Sequence, residues 1–123
     1  MNNYQKIIKK FAKDRDWDQF HNPKDLLLGI VEEIGEIRNL VKWEQDIEKI
    51  KKSLLKNKRL EDDIGDIYWF LALLANGSNI DIDEAVAKVI QKNKKRFPVS
   101  KIKSIHTNRY LGGKDGNYDK LKR

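Results

Sequence analysis

The sequence predicts an all-α protein, a four-helix bundle with an irregular basic C-terminal tail. Three observations support this prediction. Apolar residues recur at the three- and four-residue spacing of a helix in four stretches of the chain. Capping residues and Gly or Pro stops separate these stretches. The sequence also lacks the apolar–polar alternation of a half-buried strand, so packed helices with short connections are expected.

The first half of the chain predicts two helices. The first is expected at residues 3–14, where apolar residues form a stripe along one face. A polar, aromatic-rich loop is expected at 14–23. Asn22 is the predicted cap of the second helix, with Pro23 at its first position. We expect that helix to end near Trp43.

The second half predicts two more helices. Residues 44–59 are charged and weakly amphipathic, which predicts a linker followed by the early turns of the third helix. That helix proper is expected from about residue 60 to 75, with an Asn-Gly stop after it. Asp81 caps the fourth helix, with Glu84 three residues later. A Phe-Pro pair ends it.

Length and charge limit the classes of protein that the chain fits. A chain of 123 residues predicts one domain, with helices at 1–98 and a basic tail at 99–123. Much of the net charge of +7 lies in that tail, which suits a polyanion or simply a solvated segment. The absence of cysteine excludes disulfides and thiolate metal sites. Without a secretory signal or an apolar run of about 18 residues, we expect a cytoplasmic protein with no membrane segment.

Two of the predicted helices carry acids within otherwise apolar runs. These acids are Glu32, Glu33 and Glu36 in the second helix, and Glu61, Asp62, Asp63 and Asp66 in the third. Acids three residues apart share a helix face, so Glu33 pairs with Glu36 and Asp63 pairs with Asp66. Like charges among apolar side chains are unfavourable unless a cation offsets them. The pattern therefore predicts a divalent metal site, and oxygen ligands favour Mg²⁺.

Other interpretations of these acids stay open at the level of residues alone. A single acid on a helix usually faces water. A di-iron bundle also uses acid-rich helices, but it needs Glu-x-x-His pairs, which His21 and His106 do not form. Bound Mg²⁺ would screen the charge of a triphosphate and lower the pKa of a water molecule. Glu32 is then the nearest further carboxylate that could position or deprotonate that water.

Two further groups of side chains are candidates for nucleotide contact. They are Trp17, Phe20, His21 and Trp43 in the first group, and Lys92, Asn93 and Arg96 in the second. The flat side chains of the first group either stack on a base or close the end of the bundle. The second group offers cations for phosphate and an amide for a base edge. Cations at a helix C-terminus are also common without any ligand.

The motifs EEIGE and DDIGD on successive long helices resemble the EExxE…ExxD signature of MazG-like all-α nucleoside triphosphate pyrophosphohydrolases. The stretch RDWDQFHNPKDLLLGIVEEIGEI, followed by Trp43, is most similar to the dCTP pyrophosphatase branch. The likeness covers about residues 4–98. It implies magnesium-dependent hydrolysis of a (deoxy)nucleoside triphosphate to the monophosphate and pyrophosphate, as house-cleaning of the nucleotide pool. It also implies a homodimer or a dimer-of-dimers tetramer.

The resemblance also implies roles for individual residues. Metal ligands fall on Glu33, Glu36, Asp63 and Asp66; the catalytic acids are Glu32, Glu33 and Glu36; and substrate contacts fall on Trp17, His21, Trp43, Lys92, Asn93 and Arg96. Two positions depart from the family pattern. Asp63 stands where the family usually has Glu, and Phe70 stands where the dCTP branch has Tyr. The strength of one metal ligand and the base preference are therefore open.

Two other functions remain compatible with the residues. The first is a non-enzymatic α-helical module that binds nucleic acid through its basic tail, in a salt-sensitive manner. The second is a regulatory or antitoxin-like partner protein. The acid pairs favour the enzyme over both.

Overall fold

The computed structural model describes residues 1–103, and these residues are helical without any strand. The helices are α1 (Asn3–Asp14), α2 (Pro23–Asn39), α3 (Ile47–Leu55), α4 (Arg59–Gly77), α5 (Ile82–Arg96) and α6 (Val99–Ile102), with a 3-10 turn at Trp17–Gln19 after α1. The predicted all-α class is confirmed. Within this described range, no helix combines the length and apolar character that crossing a membrane requires.

The described residues contain more helices than the four that the sequence predicts. Residues 47–55 form a helix of their own instead of a linker and the early turns of the third helix. Asp46 begins it, since its side chain accepts a hydrogen bond from the Lys49 amide at 3.1 Å. The next helix, α4, begins at Arg59, whose backbone amide donates a hydrogen bond to Asn57 Oδ1 at 2.9 Å. The side-chain cap at Asp46 thus starts a separate helix where the sequence predicted a linker followed by the early turns of the third helix.

The tail that was predicted to be irregular begins as a helix. Val99–Ile102 form one turn, in which the Pro98 carbonyl accepts a hydrogen bond from the Ile102 amide at 3.1 Å. The remaining tail predictions, including a polyanion-binding role, fall on residues 104–123 and lie outside the described residues.

Two predicted caps are confirmed by their hydrogen bonds. Asn22 Oδ1 accepts from the Asp25 amide at 2.9 Å, and Pro23 takes the first helical position. Asp81 Oδ1 accepts from the amides of Asp83 and Glu84, at 2.9 and 3.3 Å. Each cap satisfies amides that a helix start leaves without partners, which explains why these helices begin where they do.

The chain divides into two compact units, Met1–Glu84 and a second unit that begins at Ala85. In the first unit, α4 is central, because both α1 and α2 pack against it and α2 does so most extensively. The core of this unit consists of Ile8, Ala12, Leu26, Ala72 and Leu73. The pairing of α2 with α4 brings the two acid-bearing helices side by side. The arrangement of four helices as a bundle remains a prediction.

Gly29 allows α2 to approach the aromatic side chain of Phe70 on α4. A Cβ atom at Gly29 would lie 2.9 Å from two carbon atoms of the Phe70 ring. This is closer than carbon atoms normally pack. The absence of a side chain at Gly29 therefore permits this close approach, and a Cβ there would require the Phe70 ring to shift.

Gly29→Ala is expected to destabilise the protein by about 1–2 kcal/mol, because overpacking outweighs the gain in helix propensity. Gly35→Ala is the matched control, since a Cβ there meets nothing within 4 Å. It should stabilise the same helix by up to about 1 kcal/mol. Urea denaturation of the two variants measures both effects. Equal stability of the two variants would contradict the packing argument.

Candidate metal centre

Three carboxylates from α2 and α4 form a cluster that we name the acid trio. They are Glu33, Glu36 and Asp63, and one oxygen of each lies within 4.8 Å of the others. Glu33 and Glu36 are one helical turn apart on α2, and Asp63 faces them from α4. Only oxygen ligands are present, and this is the ligand chemistry of a hard divalent cation.

Asp63 is the most constrained member of the acid trio. Its residue is only 5% exposed. Within residues 1–103, the Asp63 carboxylate makes no hydrogen bond and no ion pair. The two groups beside it in the trio, Glu33 and Glu36, are also acids. A buried carboxylate without a counter-ion is strongly unfavourable. This orphaned group therefore fits a cation held between the two helices.

The surroundings of Glu33 raise the pKa of its carboxyl group. Partial desolvation raises the pKa of Glu33 above its ordinary value of 4.5, and the charges of Glu36, Asp66 and Asp63 raise it further. The charge of Arg59 acts in the opposite direction. Asp66 is thus near enough to act on Glu33, although it is exposed and lies outside the trio. Glu32 is also exposed and lies outside the trio.

Arg59 is a neighbour of the trio that the sequence prediction missed. Its Nη2 lies 3.5 Å from Glu36 Oε2, so a cation at the start of α4 reaches an acid on α2. The available signal was its position four residues before Asp63, which places both on one face of a helix.

The predicted base-contacting aromatics occupy separate places in the first unit. Trp17 packs edge-on against Phe11, with ring centroids 5.7 Å apart, and Phe11 packs in the same way on Trp69 at 5.2 Å. Trp17 nevertheless remains 43% exposed. Trp43 follows α2 and is 86% exposed, with the Lys42 ammonium 5.0 Å from its ring centroid. Trp17 therefore contributes to packing, whereas Trp43 is presented to the outside.

His21 lines a cavity of about 350 Å³. The cavity lies between α1, the loop and the C-terminal end of α4, and its other lining residues include Lys9, Lys13, Asp18, Asn76 and Ser78. No member of the acid trio lines it. The structure thus places His21 in a cavity that is distinct from the trio, and its role as a base contact stays a prediction.

The residues that the sequence predicts to contact the phosphates and a base edge lie on α5 in the second unit. Lys92, Asn93 and Arg96 are all exposed there. The Arg96 guanidinium lies 5.1 Å from the ring centroid of Phe97. The Asn93 carbonyl accepts a hydrogen bond from the Phe97 amide at 2.8 Å. Their side chains are thus available to a ligand, and their predicted roles stay predictions.

Comparison with known proteins decides the family. Residues 21–100 match the family model described as "MazG nucleotide pyrophosphohydrolase domain". The chain belongs to the MazG nucleotide pyrophosphohydrolase family. The match includes every acid of α2 and α4 discussed above, and the resemblance inferred from the motifs is confirmed.

Relatives of this MazG-family chain include dCTP pyrophosphatase 1 from two mammals. The mouse protein is 34% identical over 97 residues, which are 77% of this chain and 57% of that protein. The human protein is 33% identical over 96 residues, 76% of this chain and 56% of that protein. The chain thus spans a little over half the length of these relatives. A crystal structure of a pyrophosphatase from Archaeoglobus fulgidus superposes with a TM-score of 0.67 at 28% identity, over 76% of this chain and 87% of that chain.

In the metal-free MazG-family protein, stability is expected to depend on the protonation of Glu33. Because its pKa is raised in the folded state, a proton on this carboxyl favours folding. That stabilisation is complete below the ordinary pKa of 4.5 and is lost as the pH rises through the higher folded-state pKa. Glu33→Gln should therefore melt at a higher temperature than the unsubstituted protein at neutral pH, with a difference that shrinks towards pH 4.5.

Thermal melts in the presence of a chelator, over a series of pH values, measure this difference. Glu48→Gln is a suitable control, because this exposed acid on α3 pairs only with its helical neighbour Lys51 among the described residues. A difference between Glu33→Gln and the unsubstituted protein that grows as the pH falls would contradict the assigned charge environment.

Proposed function

We propose that this chain hydrolyses a nucleoside or deoxynucleoside triphosphate to the monophosphate and pyrophosphate, with Mg²⁺ held by acids of α2 and α4. One observation carries the proposal: the buried Asp63 carboxylate has two further acids beside it and no cationic partner among the described residues. Family membership and the names of the relatives point to the same reaction. The acids would bind a metal ion, and the metal ion would bind the phosphates of the substrate.

Four carboxylates are proposed as metal ligands. The acid trio supplies three of them, and Asp66 supplies the fourth from one turn further along α4. Asp63 is one methylene shorter than the Glu that the family usually has, but its oxygen still comes within 4.8 Å of the two Glu oxygens. When bound there, Mg²⁺ supplies charge neutralisation for the triphosphate and acidifies a water molecule.

The remaining chemistry falls to side chains around the trio. Water attacks the α-phosphorus, a bond forms from its oxygen to phosphorus, and the bond to the pyrophosphate oxygen breaks. We assign Glu32 the task of orienting this water and accepting its proton, because it is exposed and adjacent in sequence to Glu33. Glu33 and Glu36 complete the proposed catalytic acids.

Substrate binding is proposed to use the exposed aromatic and polar side chains. Trp17, His21 and Trp43 are assigned to the base, with Asn93 at a base edge. Lys92 and Arg96 are assigned to the phosphates. The first nucleotide to test is dCTP, since the relatives are named for it. Phe70 lacks the hydroxyl of the Tyr that the dCTP branch has at this position, so the base preference is left to the assay.

The protein is also proposed to act as a homodimer or a dimer of dimers. The outer face of α2 carries a stripe of exposed apolar side chains, which are Leu27, Leu28, Val31 and Ile34. Such a contiguous stripe is typical of a protein–protein interface. Sedimentation velocity over a range of protein concentrations tests this part of the proposal. A role in house-cleaning of the cytoplasmic nucleotide pool, which the family resemblance implies, belongs to the same proposal.

The decisive assay is incubation with each canonical and modified nucleoside triphosphate in the presence of Mg²⁺. We expect the monophosphate and pyrophosphate as the products. In ¹⁸O-labelled water, the label should appear in the monophosphate, because the attack is on the α-phosphorus. No turnover of any nucleotide would overturn the proposed enzyme, and label in pyrophosphate would overturn the site of attack.

A further inference from the structure

Arg59 connects the two helices that form the acid trio. It is the first residue of α4, and its guanidinium lies 3.5 Å from Glu36 on α2. The Asn57 side chain accepts a hydrogen bond from the Arg59 backbone amide at 2.9 Å, so the backbone and the guanidinium of Arg59 have separate partners. The Arg59 side chain is 69% exposed. It is thus an exposed cation at the edge of the proposed metal site.

Helix stability does not explain an arginine at this position. The N-terminus of a helix carries partial positive charge, so a cation in the first turn is unfavourable. The contact to Glu36 is a single long one between exposed side chains, which contributes little to folding. Neither the start of α4 nor the pairing of α2 with α4 therefore requires a guanidinium here. A functional role accounts better for it.

The two states of the trio favour different partners for Arg59. Without a metal, Glu36 is a negatively charged group within reach of the guanidinium. A divalent cation held by the trio would occupy the lone pairs of Glu36 and repel the guanidinium. The phosphates of a bound triphosphate would then offer Arg59 another partner, because guanidinium binds phosphate in a bidentate, charge-assisted manner.

We propose that Arg59 exchanges partners during substrate binding, from Glu36 in the metal-free protein to the triphosphate in the loaded one. Arg59 thereby competes with the metal for the trio and adds a substrate contact once the metal is bound. This proposal rests on the metal site of the proposed function. It predicts that substitution of Arg59 strengthens the binding of the metal alone and weakens the binding of the nucleotide. A structural role of Arg59 would not change the two affinities in opposite directions.

The test compares Arg59→Gln with Lys58→Gln, which removes the same charge from an exposed neighbouring side chain. The first measurement is the affinity for Mn²⁺ alone, followed by electron paramagnetic resonance, because Mn²⁺ accepts the same oxygen ligands. The second is calorimetric affinity for the non-hydrolysable α,β-imido analogue of dCTP, with Mg²⁺ present. Circular dichroism establishes that all variants are equally folded.

Arg59→Gln is expected to bind Mn²⁺ about threefold to tenfold more tightly, because a competing cation is removed. It should bind the nucleotide analogue about tenfold more weakly, as expected for loss of one charge-assisted phosphate contact. Lys58→Gln should change neither affinity by more than about twofold, since exposed charges act weakly at a distance.

Several results would overturn the exchange. Unchanged affinities in Arg59→Gln would reduce the contact to a surface ion pair, and a loss of both would indicate a structural role. A change in only one of the two affinities would show that Arg59 interacts with only one of its two proposed partners, which contradicts an exchange. If the unsubstituted protein binds no Mn²⁺, the metal site of the proposed function fails and the exchange fails with it. Metal binding that Arg59→Gln does not alter refutes the exchange alone.

Discussion

Asp63→Asn is expected to reduce the proposed magnesium-dependent turnover about a thousandfold or more, because the proposed metal would supply several kcal/mol to the transition state. Asparagine has almost the same shape as aspartate but is neutral, so it is a much weaker Mg²⁺ ligand. The substitution also removes a buried charge that has no cationic partner among the described residues. The metal-free variant should therefore be at least as stable as the unsubstituted protein.

Thermal melts with and without Mg²⁺ provide the second measurement for this variant. A ligand that binds only the folded state raises stability, by about 2.7 kcal/mol at a hundred times its dissociation constant. The unsubstituted protein should show this rise, and Asp63→Asn should lose it. Asp62→Asn is the matched control, because Asp62 is the adjacent acid on α4 and is exposed. Full turnover by Asp63→Asn, or equal loss by Asp62→Asn, would refute the ligand assignment.

Gln5→Leu is expected to destabilise the protein by about 2–4 kcal/mol, because it leaves three partly buried hydrogen bonds unmade. Gln5 is fully buried. Its Nε2 donates to Asn76 Oδ1 at 3.0 Å and to the Ile80 carbonyl at 2.7 Å, and its Oε1 accepts from the Ile82 amide at 3.0 Å. One side chain on α1 thus holds the connection between α4 and α5. Leucine has a similar size, so the effect reports lost hydrogen bonds more than lost packing.

Thermal unfolding at a fixed protein concentration measures this effect. The melting temperature should fall by about 6–20 °C for a chain of this size. Lys6→Leu is the control, since it introduces the same side chain at the next, exposed position of α1. It should change stability by less than about 0.5 kcal/mol. A fall of only a degree or two for Gln5→Leu would show that other groups or water replace its hydrogen bonds.

Much of the local structure could be predicted because it depends on neighbours in the sequence. Asn22 and Asp81 start helices through hydrogen bonds that span three residues or fewer. The pairing of Glu33 with Glu36 on one face follows from the pitch of a helix. The separate helix α3 was missed because its caps lie within a charged stretch that carries only a weak apolar stripe.

The candidate site could be predicted only in part, because some of its contacts join residues that are distant in the sequence. The sequence by itself determined that α2 and α4 each carry acids on an apolar face, and it indicated a metal between them. The tertiary structure decided that Asp63 is buried against Glu33 and Glu36, and that Arg59 reaches Glu36 from α4. These contacts join residues more than twenty positions apart. Their geometry depends on how closely and at what rotation the two helices pack, which the spacing of residues along one helix does not specify.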